Sequence, residues 1–264
     1  MRQLRFHSFT LSLFRFSPMH QSYSHYTAED QAMWTMLFRR QMTQLPGMAS
    51  EAYLAGIPAT GFREDRIPDF AQDINPRLRA LTGWQVVSVP GLIDNRQFFE
   101  LMANRNFPAT TWLRRRDQLD YLPEPDMFHD TFGHVPLLSN QAFCDFLASL
   151  SRIALNHIDS EDAIAMISRL YWYTVEFGLI READDAGQPQ LRIYGGGILS
   201  SAGETSHSLY DTQVQRRPYD VDTLLQTPYV IDRFQEQYFV VDTYEQLYRS
   251  VPEIEARLDA LLVS

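Results

Sequence analysis

Apolar side chains return every three or four residues in one stretch of this chain after another, and no linker separates the stretches. Phe143, Phe146, Leu147, Leu150 and Ala154 share one helical face behind Ser139 or Asn140, either of which can cap it. Ile164, Ile167, Leu170, Thr174 and Phe177 keep a similar period after Asp159-Ser160. Nearer the amino end, Thr27 and Asp30 form an N-cap pair ahead of Ala32, Met33, Met36 and Leu37. Further helices are predicted over 95–104, 198–210 and 251–262. After residue 30 there is no internal repeat and no low-complexity tract. The economical fold is therefore mainly α with a few short β-strands, in a single domain over 19–264.

The exceptions to the helical period are short. Trp84-Gln-Val-Val-Ser-Val89 predicts a strand closed by Pro90-Gly91, and 110–113 predicts a second. Prolines at 46, 58, 68 and 76 cut the segment 46–83 into short helices and turns. Gly195-Gly196-Gly197 reads as a hinge before the helix at 198. Residues 1–18 differ in kind, with three arginines, no acid and several Phe and Leu. Arg15 interrupts their apolar run, so they do not read as a secretory peptide, although a mitochondrial-type presequence shares their composition. We read them as a flexible or non-native extension outside the fold.

Composition excludes several functions. The 264 residues carry 23 Lys plus Arg against 33 Asp plus Glu, a net charge of −10, which argues against a nucleic-acid partner. No run approaches the ~18 apolar residues of a membrane span. The single cysteine, Cys144, rules out an internal disulfide, fits a cytoplasmic location and reads as a packed thiol.

Chemistry concentrates in two places. In Glu124-Pro-Asp-Met-Phe-His-Asp-Thr-Phe-Gly-His-Val-Pro136, two histidines stand five apart. On an ideal α-helix that is about 500° of turn, or roughly 140° in projection, so they do not share a face. Both reach one ion most easily if the helix ends between them, for which Gly133 and Pro136 supply the break. Two ordinary polar residues at a helix end are the plain alternative. In Leu170-Tyr-Trp-Tyr-Thr-Val-Glu-Phe-Gly-Leu-Ile180, Glu176 is the one charge among apolar and aromatic residues. Such a carboxylate costs several kcal/mol unless it is paired, bound to a cation or turned outward. Joined to His129 and His134, it makes the two-His-one-carboxylate set of non-haem Fe(II) oxygenases. Zinc is the rival ion, though the His-Glu-x-x-His spacing of zinc peptidases is absent.

Three blocks, 124–138, 170–179 and Tyr194-Gly-Gly-Gly-Ile-Leu-Ser-Ser-Ala-Gly-Glu204, resemble the signatures of the pterin-dependent aromatic amino acid hydroxylases. The likeness is closest to the bacterial phenylalanine 4-monooxygenases and extends from about Tyr26 to Tyr248. It implies the single-domain catalytic fold of that family. It also implies ferrous iron on His129, His134 and Glu176, and a tetrahydropterin such as tetrahydrobiopterin. The activity implied is O2-dependent hydroxylation of L-phenylalanine to L-tyrosine. By the same likeness Arg114 takes the substrate carboxylate with help from Ser200, while Tyr121, Pro125, Trp172 and Phe177 surround its ring. A planar guanidinium suits that carboxylate, and Arg115 and Arg116 read as solvated neighbours. The pterin is expected against Gly91, Leu92 and Phe98, with Asp130 and Tyr171 nearby.

Several positions depart from the family pattern. Asp130 stands where animal members have Glu, Leu122 where they have a hydroxyl residue, and Gly196 where alanine is common. The last change is expected to be without consequence. A monomer is expected, and a pterin-recycling enzyme is the partner such chemistry could call for. Rival readings are hydroxylation of tryptophan or at another ring position, a metal-silent binding protein, and a zinc hydrolase.

Overall fold

The computed structural model describes residues 20–119, 124–184 and 186–263. Helices α1 (Ala28–Met42) and α2 (Glu51–Ala59) come first. A π-helical segment, Phe70–Ile74, runs into α3 (Asn75–Leu81). Strand β1 (Gln85–Ser88), helix α4 (Asn95–Ala103) and strand β2 (Asn106–Ala109) follow. After a second π segment, Phe128–Gly133, come α5 (Gln141–Asn156) and α6 (Glu161–Tyr171). A third, Trp172–Glu176, leads into β3 (Gly178–Ala183) and β4 (Pro189–Ile193). The chain continues through α7 (Gly196–Leu199), α8 (Ala202–Tyr210), β5 (Gln215–Pro218) and α9 (Val221–Gln226). It finishes with β6 (Gln237–Val241), α10 (Tyr244–Arg249) and α11 (Val251–Val263).

Capping explains most helix starts. Thr27 and Asp30 form a full capping box on α1. Asn140 caps α5 and Ser160 caps α6, each accepting the backbone N–H three residues on. Pro76 lies in the first turn of α3, where its missing N–H removes no helical bond. Three expectations change. The second strand is Asn106–Ala109, pairing in parallel with β1, and 110–113 lies outside it. The helix expected over 198–210 is two helices, broken at Ser200-Ser201. The α6 periodicity stops at Tyr171, so Thr174 and Phe177 lie beyond that helix.

Strands β4-β3-β6-β5 form a four-stranded sheet, antiparallel between β3 and β4 and parallel across the other two pairs. The main core is aromatic-rich, and a smaller cluster of Tyr173, Leu224 and Phe239 lies apart from it with Trp172 and Tyr229 packed against it. The part of the main core beneath the second π segment matters most for function. Phe128 and Phe132 stack at 4.6 Å, with Trp34 of α1 edge-on to Phe128 and Phe38 edge-on to Phe132. Tyr53 of α2 donates its hydroxyl to the Phe132 carbonyl at 2.6 Å. These contacts anchor one face of the turn in the core. Cys144 is buried, and burial pushes its thiol up to about 12, as a packed, unreactive group requires.

Candidate metal and substrate site

The geometry of His129 and His134 follows from the π-helical hydrogen bonding of Phe128–Gly133. In an i→i+5 pattern the turn is wider than in an α-helix, so residues five apart return to nearly the same side. The break expected between the histidines is thus replaced by a wide turn that holds both. His134 closes it and opens a 3-10 turn, Val135–Ser139. Glu176 arrives by the same device, because Phe177 N–H bonds the Trp172 carbonyl across the third π segment. Three donors on two wide turns face one point.

Their separations are short. His129 Nε2 lies 3.4 Å from His134 Nε2 and 3.6 Å from a Glu176 carboxylate oxygen, whose other oxygen is 3.4 Å from His134 Nε2. Donors so placed can each reach one ion at about 2.1 Å. The His129 side chain keeps 22% of its surface exposed and Glu176 15%, while His134 is nearly covered. An ion there is held from one side and is open on the other.

Protonation favours cation binding. Burial, reinforced by the neighbouring His134, lowers His129 to about 4, so its ring is neutral at pH 7. Burial opposes ionisation of Glu176, but the two imidazoles outweigh it and bring the carboxyl down to about 2. Burial also disfavours charge on His134, yet the Glu176 carboxylate more than compensates and raises it. The cluster therefore presents an ionised carboxylate between two imidazoles, and a cation bound there displaces the proton that Glu176 favours on His134.

Ser200 Oγ sits 3.0 Å from His129 Nδ1 and donates to the Gly196 carbonyl at 2.9 Å. It can accept Nδ1–H from the tautomer that leaves Nε2 bare for an ion. The hydroxyl thus serves the helix end and the histidine at once. The glycine run beside it is not a hinge. None of Gly195, Gly196 and Gly197 has a positive φ. A Cβ on Gly195 would lie 2.4 Å from the Glu176 carbonyl oxygen, and one on Gly196 only 2.3 Å from His134 Cε1. Glycine here allows α7 to lie directly on both ligand-bearing turns. Gly196 is therefore of consequence, because alanine would require the His134 ring or α7 to move.

The arginine triplet is resolved. Arg114 is the inward one, with its side chain 10% exposed, while Arg115 pairs with Asp117 at the surface. Arg114 Nε and Nη2 donate to the two oxygens of fully buried Asp126 at 2.9 and 2.8 Å, and Nη1 donates to the Leu119 carbonyl. Of five guanidinium N–H groups, two remain for a ligand. Asp126 also accepts the backbone N–H of His129 at 3.0 Å, tying the arginine to the metal-facing turn. Sequence reading missed Asp126, although its sign opposite Arg114 and its place three residues before His129 were a usable signal.

The aromatic residues fall into two groups. Phe177 packs on Trp172 at 4.6 Å, and Trp172 stacks on Tyr229 at 4.5 Å. Tyr229 was not foreseen, since it is 57 residues beyond Trp172 in the chain. Pro125 is half-buried in the loop leading to Asp126. Tyr121 and Leu122 lie outside the described residues.

The second group suits a flat heterocycle. Leu92 is 62% exposed, and a Cβ on Gly91 would meet nothing within 4 Å, so the loop is open. Phe98 meets Phe99 and Tyr171 edge to face. Both ring contacts are perpendicular, which leaves no stacked neighbour among the described residues. The Tyr171 hydroxyl is held protonated by burial and by the charges of Glu176 and Asp130. Asp130 accepts both the N–H and the hydroxyl of Thr110, at 2.7 and 2.9 Å, and burial raises it to about 7.

A helical scaffold that offers two imidazoles and a carboxylate to one ion, beside a fixed guanidinium and open aromatic faces, defines a class of mononuclear non-haem metal proteins. The chain belongs to the biopterin-dependent aromatic amino acid hydroxylase family, which it matches over residues 9–261. It is 47% identical over 209 residues to a phenylalanine-4-hydroxylase of Ralstonia nicotianae, covering 79% of this chain and 64% of that protein. It thus spans just under two thirds of that relative's length. A Chromobacterium violaceum phenylalanine hydroxylase crystal structure with iron(III) and 7,8-dihydrobiopterin superposes with a TM-score of 0.85. The two are 45% identical over 93% of this chain and 86% of that one. A structure of the same enzyme with iron and phenylalanine gives 0.84, at 43% identity over 94% and 87% of the two chains.

Proposed function

We propose that this chain is a phenylalanine 4-monooxygenase that converts L-phenylalanine to L-tyrosine with O2 and a tetrahydropterin. The observation that carries the reading is the convergence of His129, His134 and Glu176 within 4.8 Å of one another. The donor set fits iron(II), and the open loop at Gly91-Leu92 with the Phe98 ring fits a pterin. When bound, iron and tetrahydropterin supply the activation of O2 and the oxidising power.

The chain's own residues hold and orient. His129 and His134 give neutral nitrogens, and Ser200 fixes the His129 ring through Nδ1. Glu176 gives the negative charge that a divalent ion needs. Arg114, locked by Asp126, offers its two remaining N–H groups to the amino acid carboxylate. That anchor and the Phe177–Trp172–Tyr229 stack orient the substrate ring toward the metal. Leu92, Phe98 and Tyr171 shape the pterin side, with the Tyr171 hydroxyl keeping its proton.

Residues 19–264 form the catalytic domain in this reading, acting as a monomer in the cytoplasm. Among the described residues no helix is long and apolar enough to cross a membrane. A pterin-recycling enzyme is the partner the chemistry calls for. Iron-loaded protein given phenylalanine, tetrahydropterin and O2 is expected to yield 4-hydroxyphenylalanine. Tryptophan assayed alongside tests the rival substrate. Exclusive formation of meta-tyrosine or 5-hydroxytryptophan would reject the assignment.

A further inference from the structure

We propose that Gln235 is a positioning residue for the aromatic substrate: its side-chain amide sets the orientation of the Trp172 indole and so of the ring stack beside Glu176. The inference rests on reading that stack as the wall of a hydroxylation site.

Gln235 lies before β6 and is only 2% exposed. A buried primary amide must find partners for its donors and its acceptor, and this one does. Oε1 accepts the Trp172 indole N–H at 3.0 Å, while Nε2 donates to the Val230 carbonyl at 2.8 Å. Its backbone is held as firmly. The N–H donates to Glu204 at 3.0 Å, and the carbonyl oxygen lies 2.9 Å from His207 Nε2. Glu204 is itself buried and takes the Tyr238 hydroxyl. The acceptor facing Trp172 is therefore fixed from both the side chain and the main chain.

What it fixes is a degree of freedom that stacking leaves open. Trp172 lies against Tyr229 with 16° between planes and against Phe177 with 32°. Ring faces constrain the plane of an indole but let it slide and turn within that plane. A directional N–H···O bond removes that freedom. The consequence reaches the donor cluster, because a Cβ on Gly197 would lie 3.0 Å from Phe177 Cζ and 3.2 Å from a Glu176 carboxylate oxygen. The end of the stack and a metal-facing oxygen share that small space. A turn of Trp172 thus shifts the wall relative to the ion, and with it the fit of the substrate ring.

The test combines a spectroscopic and a kinetic arm. In 15N-labelled metal-free protein, Gln235→Leu should move the Trp172 indole N–H resonance and speed its exchange with solvent. Gln235→Glu, which keeps the acceptor and in its protonated form also a donor toward the Val230 carbonyl, should restore both. In iron-loaded enzyme Gln235→Leu should raise KM for phenylalanine about tenfold, with kcat altered less than about twofold. In a Trp172→Phe background, which lacks the N–H, the same change should add nothing. Gln235→Met serves the same comparisons if the leucine variant does not fold. An unmoved indole resonance, or kinetic effects that add across the two positions, would overturn the inference. Wild-type enzyme that hydroxylates no phenylalanine at all would instead overturn the reading of the site, and this inference with it.

Discussion

Asp126 joins the two ends of the candidate site through one side chain. Its oxygens take two guanidinium N–H groups and the backbone N–H of Arg114, and the backbone N–H of His129, with no solvent exposure. Burial works against its ionisation, but Arg114 and the backbone donors outweigh that and hold the carboxyl below its ordinary value. An acid whose folded-state pKa is depressed stabilises the fold above its unfolded value and loses that contribution as pH falls through the folded one. Urea midpoints measured from about pH 6 down to about pH 3 should therefore fall more steeply for wild type than for Asp126→Asn. The variant should also lose about 3–5 kcal/mol at neutral pH, because it strands the Arg114 charge. Parallel acid profiles would contradict the pairing. His129 makes the simpler test. His129→Ala is expected to abolish iron binding measured by metal analysis after dialysis, and iron retained at wild-type stoichiometry would remove the ligand assignment.

The elements that carry the donors are short π-helical segments rather than α-helices. An α-helical period places His129 and His134 on different faces, and only the i→i+5 pattern brings them together. The extra width of those turns needs a close-packed neighbour, which α7 supplies through its glycines. Gly195→Ala puts a methyl group 2.4 Å from the Glu176 carbonyl oxygen. Overpacking of that kind costs about 1–3 kcal/mol, seen as a lower urea midpoint, and should weaken iron binding as the Glu176 turn is pushed aside. Unchanged stability together with unchanged iron affinity would show that the contact is slack. Helix starts were more legible than these turns, because Thr27, Asn140 and Ser160 act through residues three positions away. Strands β3 and β4 were not, since pairing of β4 with β3 and of β3 with β6, and not local pattern, selects them.

At the scale of the whole molecule, the core is knit from segments far apart in the chain. Gln21 donates to the Pro68 carbonyl and accepts from Phe70 N–H, and the Tyr23 hydroxyl donates to the Ile67 carbonyl. Such contacts tie residues 21 and 23 into the fold. Removing residues 1–18 is accordingly expected to leave the thermal midpoint within about 2 °C and turnover unchanged. Loss of either would make the leader part of the working structure.

Residue types and their local spacing determined the class of this protein. Helical periods and caps define a mainly helical domain, and the likeness of three short blocks to a known family singles out His129, His134 and Glu176, because those signals act over a few residues. Tertiary structure alone decided how the three donors meet, since π turns have no marker in a 3.6-residue period. It alone paired Arg114 with Asp126, placed α7 against both ligand turns and brought Tyr229 and Gln235 to Trp172. Those contacts join residues 12 to 63 positions apart, and only packing of the folded chain can select them.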